Sequence, residues 1–126
     1  MVSEKEDQIA SAIVDSSLTV HRRLGPGLLE SVYELCLFHE LSRRSIHVER
    51  QVGFPIQYDD LKIESGLRLD LLVDSQVIVE IKAVEKLAPV HQAQLLTYFK
   101  LTERSLGLLI NFNVPLIKDG IKRMVR

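Results

Sequence analysis

Residues 67–83 constrain this chain more than any other segment. Leu67 to Val73 and Val77 to Ala83 are aliphatic runs joined through Asp74-Ser75-Gln76, the pattern of two antiparallel strands closed by a short polar turn. With Ser75 at the tip, facing residues have numbers summing to 150. Leu69 then faces Ile81, Leu71 faces Val79 and Val73 faces Val77, which makes one aliphatic face. On the opposite face Asp70 lies across from Glu80, Arg68 faces Lys82, and Lys82 sits two residues beyond Glu80 on the same side.

Opposed like charges on a sheet have Cβ atoms roughly 4.5 to 5.5 Å apart and repel, so two facing carboxylates need a cation or a neighbouring lysine. A divalent ion such as Mg2+ or Mn2+ answers that need, since it takes oxygen ligands from one or two carboxylates, a carbonyl and water. Asp70 and Glu80 would supply the carboxylates and Ile81 the carbonyl. Lys82 could orient an attacking water or stabilise charge developing on a phosphate. Arg68 could touch that phosphate beside the metal. The bland alternative is a solvated strand face on which the lysine bridges both acids.

The remaining elements follow from periodicity. Ser3 followed by Glu6 is a capping-box pattern, and Ile9, Ile13, Val20 and Leu24 recur at helical spacing, which predicts a helix from about Glu4 to Arg23. Gly25-Pro26-Gly27 breaks it, and a second helix starts near Leu28 and ends around Arg43 and Arg44. Short Val-, Ile- and Tyr-rich segments from Ile46 read as strands. Pro89 opens a third helix to Thr102, followed by a strand Leu106 to Asn111; Ile121 to Val125 is a strand or a short helix after the Asp119-Gly120 turn. On the third helix His91, Gln94 and Tyr98 share a face and could contact a phosphate or a base, while Leu95 and Phe99 pack inward. The expected architecture is α/β: a helical pair, then a mixed sheet that gains a strand through a helical crossover.

Composition excludes several classes. At 126 residues with 46% hydrophobic and 26% charged content, one domain spanning 1–126 is expected rather than a disordered chain. No apolar run approaches the roughly 18 residues of a membrane span, and a lone Cys36 fits a cytoplasmic location. Cys36 and His39 could pair on their helix, although a buried free cysteine is the simpler reading. His21, Arg43 and Arg44 read as cations complementing helix C-termini. The net charge of -1 divides unevenly: residues 1–66 hold 7 basic against 11 acidic residues, residues 67–126 hold 9 against 6. A basic face in the second half is therefore available to nucleic acid.

Gly27-Leu28-Leu29-Glu30-Ser31-Val32-Tyr33 is a GxxExxY match. Together with Asp70, Glu80-Ile81-Lys82 and Gln94-Leu95-Leu96-Thr97-Tyr98 it resembles the GxxExxY proteins, a family placed in the PD-(D/E)XK nuclease superfamily. The resemblance runs from His21 to Arg123. It implies a restriction-endonuclease-like core, a mixed sheet flanked by helices. It further implies that Glu30 is the acid carried on a helix, Asp70 and Glu80 the metal-binding acids, Lys82 the catalytic lysine and Gln94 the polar residue of the following helix. Tyr98 would complete a QxxxY element, and Gly27 and Tyr33 would be structural.

The leading expectation is Mg2+- or Mn2+-dependent hydrolysis of a nucleic-acid phosphodiester, with DNA favoured over RNA as the partner and no membrane involved. The rival is a catalytically silent binding or regulatory module retaining the fold. Its motive is the short, nearly neutral chain, which leaves little surface for gripping phosphates unless a homodimer supplies more. A third reading is a purely structural domain.

Overall fold

The computed structural model describes all 126 residues. Helix α1 (Glu4–Leu24) begins at Ser3, whose Oγ accepts the Glu6 N–H at 3.1 Å while Glu6 Oε1 accepts the Ser3 N–H at 2.9 Å. This reciprocal pair satisfies two of the donors a helix start leaves free. The helix stops at Gly25, which takes a left-handed φ of 70° and donates its N–H to His21 O.

Helix α2 (Glu30–Arg43) starts two residues later than Leu28. The delay has a local cause: the Leu28 N–H donates to the Tyr33 hydroxyl at 3.0 Å, and Leu29 is extended at the helix boundary. Tyr33 in turn donates to Gly25 O at 2.6 Å and stacks on Phe112, with ring centroids 4.7 Å apart. One buried tyrosine thus clamps the Gly25–Gly27 turn between the helices onto the end of the sheet.

Five strands follow the order β1 (Val48–Tyr58), β2 (Leu61–Val73), β3 (Val77–Lys82), β4 (Leu106–Asn111) and β5 (Ile121–Val125). Neighbours are antiparallel except β3 and β4, which run parallel and are joined by helix α3 (Pro89–Thr102). The C-terminal segment is therefore a strand, entered through a 3-10 turn at Ile117–Gly120. The β2–β3 turn places Asp74 and Ser75 at φ of 51° and 57°, with the Gln76 N–H closing onto Val73 O.

Two cores sandwich the sheet. Ile9, Ile13, Val20, Tyr33, Leu37 and Leu41 of α1 and α2 bury Leu71, Val73, Val79, Ile81, Leu108 and Ile110. Leu95 and Phe99 of α3 bury Leu67, Leu69, Leu72, Ile78 and Leu109 on the other face. Leu69 therefore lies on the opposite side of the sheet from Leu71 and Val73, which corrects the single aliphatic face read from strict alternation. The switch falls at Asp70 and at Gln51, the residue between its paired neighbours on β1, where Gln51 adopts a left-handed φ of 55°. Beyond it Val52 and Phe54 also pack on the α3 side.

Candidate active site

The site forms where β2 and β3 part. Paired residues run Val73 with Val77, Leu72 with Ile78 and Leu71 with Val79, as the hairpin register requires, and then stop. Leu69 with Ile81 and Arg68 with Lys82 are not strand pairs. The residues at the parting are Asp70 and Glu80, and their side chains replace the missing ladder. The Asp70 N–H donates to Glu80 Oε2 at 2.8 Å, and the Ile81 N–H donates to Asp70 Oδ2 at 2.8 Å. Each carboxylate spends one oxygen on the backbone and keeps the other for a ligand. The Ile81 carbonyl lies on the same edge as its N–H, because both groups of a strand residue point to the same side.

Burial and mutual repulsion dominate the electrostatics. Glu80 is 4% exposed. Loss of solvent, then the charge of Asp70, pushes its carboxyl up to about 8. Burial also raises Asp70, opposed by the Ile81 N–H and by Lys82. Lys82 is half-buried and acts on both acids through space, yet no ion pair within 4.0 Å joins it to either. The lysine therefore does not bridge the acids, as the bland reading of the strand face required.

A third acid arrives from α2, and it is Glu34. Arg50 Nε donates to Glu34 Oε2 at 3.0 Å and Gln51 Nε2 to Glu34 Oε1 at 2.7 Å. Burial, then Asp70, raises the Glu34 carboxyl. Glu30 stands one turn earlier, exposed to solvent and outside this network. On α3, Tyr98 is half-buried, and burial followed by the charges of Glu80 and Asp70 raises its hydroxyl; Gln94 lies against it and lowers it.

Other expected residues fall elsewhere. His91 Nδ1 accepts the Ala88 N–H at 2.9 Å, which commits that nitrogen to the start of α3. Arg68 is exposed on β2 opposite Gly53. His21 is buried and bonds Val114 O at 2.8 Å, so it ties α1 to the segment after β4 rather than complementing a helix end. Arg44 reaches Asp15, Thr19 and Glu40. Sequence reasoning missed Glu34, Arg50 and Gln51. Glu34 carries a faint signal, since it is four residues from Glu30 on the same helix face. Gln51 carries none, because nothing in the sequence announces a left-handed glutamine inside a strand, a conformation costing about 1–3 kcal/mol.

The donor set fits a hard divalent cation. No three His, Cys, Asp or Glu side chains are disposed to hold a metal on their own. An ion of the magnesium type is ordinarily held by only one or two carboxylates, keeping several waters. The free oxygens of Asp70 and Glu80 and the Ile81 carbonyl match that requirement, and two repelling acids, one buried and one half-buried, gain from the charge. None of the four surface cavities, the largest about 420 Å³ between the end of α1 and residues 115–118, is lined by Asp70, Glu80 or Lys82.

No curated protein and no solved structure matches this chain. A family model described as the PD-(D/E)XK nuclease superfamily matches residues 7–124. Enzymes of that superfamily generally use divalent metals and act on nucleic acid. The match covers nearly the whole chain, including every strand that forms the Asp70, Glu80 and Lys82 site, and the chain belongs to the PD-(D/E)XK nuclease superfamily.

Proposed function

We propose that this chain is a metal-dependent nuclease of the GxxExxY type, one domain over residues 1–126, acting in the cytoplasm on DNA in preference to RNA. The observation that carries this reading is the carboxylate pair at the parting of β2 and β3, Glu80 buried and Asp70 half-buried, with Lys82 nearby and unpaired. Asp70, Glu80 and the Ile81 carbonyl would hold Mg2+ or Mn2+, which when bound supplies Lewis-acid polarisation of a phosphoryl oxygen and neutralises charge. Lys82 orients the attacking water and donates toward the phosphate as charge builds there. Gln94 and Tyr98 contact the substrate from α3. Glu34, rather than Glu30, serves as the acid of the helix and acts through water, since Arg50 and Gln51 already occupy its two oxygens.

The test is a calorimetric titration of Mn2+ into the wild type, Asp70→Ala and Lys82→Ala, paired with cleavage of a labelled duplex. The expected result is saturable binding to the wild type and to Lys82→Ala, none to Asp70→Ala, and cleavage by the wild type alone. Wild-type cleavage rates in Lys82→Ala would overturn the mechanism. Metal binding without cleavage of any nucleic acid would favour the silent module, whose surface a homodimer would enlarge.

A further inference from the structure

Arg50 and Gln51 are consecutive residues of β1, and consecutive strand residues ordinarily point to opposite faces. Here both donate to one carboxylate, Arg50 to Oε2 and Gln51 to Oε1 of Glu34. The left-handed φ of 55° at Gln51 is what permits this. It turns the amide toward α2 and at the same step sends Val52 to the α3 side of the sheet. The residue falling opposite Gln51 on β2 is Asp70, and the Gln51 amide favours the ionised form of its carboxyl. A strained backbone that a glycine would adopt freely has been kept on a residue with a long polar side chain, and that side chain is spent on Glu34, facing Asp70.

We infer that Gln51 is a positioning residue of the metal site, holding the Glu34 carboxylate in place beside Asp70. This rests on the nuclease reading of Asp70 and Glu80 given above. The amide carries no charge, so it can hold Glu34 beside Asp70 without competing with a cation for either acid. Outer partners that orient ligating carboxylates typically govern affinity or activity by 10- to 100-fold, whereas a residue that merely allows a strand to bend should affect folding alone.

Gln51→Gly separates the two roles, since glycine keeps the backbone conformation and removes only the amide. Mn2+ affinity is measured by calorimetry on the wild type and the variant, each first shown to melt cooperatively. About a tenfold or greater loss of affinity in folded Gln51→Gly is expected. Affinity within twofold of the wild type would overturn the inference while leaving the nuclease reading intact. A wild type that binds no Mn2+ would overturn both. If Gln51→Gly fails to fold, Gln51→Met, which keeps the bulk without the donor, is read by the same criterion.

Discussion

Glu80 governs how the metal-free chain responds to pH. Its carboxyl sits at about 8 in the fold, against an ordinary value of 4.5, because burial and then Asp70 oppose ionisation. The folded state therefore holds this proton more tightly than the unfolded chain does. The stabilisation is complete below about pH 4.5 and is lost as pH rises toward 8. Asp70 and Glu34 are raised as well, so they act in the same direction. In the presence of a chelator, melting temperature is expected to fall from pH 5 to pH 8, on the order of a few kcal/mol in stability. Glu80→Gln should flatten much of that slope, because its amide stays neutral throughout. A melting temperature that climbs over this interval would show that the acids are not held against their own repulsion.

Among the elements, α3 shows how packing sets the chemistry. A Cβ at Gly107 would come within 2.9 Å of the Phe99 ring and 3.1 Å of Ile78 O, so the helix rests on the sheet where β4 has no side chain. Gly107→Ala is expected to displace α3 at a cost of about 1–3 kcal/mol. Because Gln94 and Tyr98 ride on this helix and Asp70 and Glu80 do not, the proposed mechanism predicts that cleavage falls while Mn2+ affinity is retained. Equal losses of both would place the ion nearer α3 than Asp70 and Glu80 imply. The elements themselves were largely legible: α3 and β4 end where periodicity and Pro89 say they should, and the hairpin pairs about Ser75. Strict alternation failed at one step, the inversion at Gln51 and Asp70, because that step depends on a backbone angle rather than on residue type. The place of Glu34 beside Asp70 was hidden for a related reason. It is set by donors on β1, 16 and 17 residues further along the chain.

At the scale of the molecule, a net charge of -1 hides a strong asymmetry. Of the 9 basic residues in 67–126, only Arg123 forms an ion pair, with Asp7. Arg104 and Arg126 donate to backbone carbonyls; the remaining cations are available to phosphates, yet the acids at the site repel phosphates wherever they ionise. Nucleic-acid affinity should therefore depend on both salt and a divalent ion. Duplex binding measured in Ca2+, from 50 to about 200 mM salt, is expected to weaken with a log–log slope matching about 3 or 4 phosphates per chain, fewer than the 6 to 10 of extensive contacts. Replacing Ca2+ with a chelator should weaken binding about tenfold in the wild type and leave Asp70→Ala unchanged, since neutralising the site lowers the same repulsion. A slope that doubles as the protein concentration rises would show that a second copy contributes its cations to the grip. Binding indifferent to salt and to Ca2+ alike would mean that the unpaired cations do not face the site, and would favour the silent module.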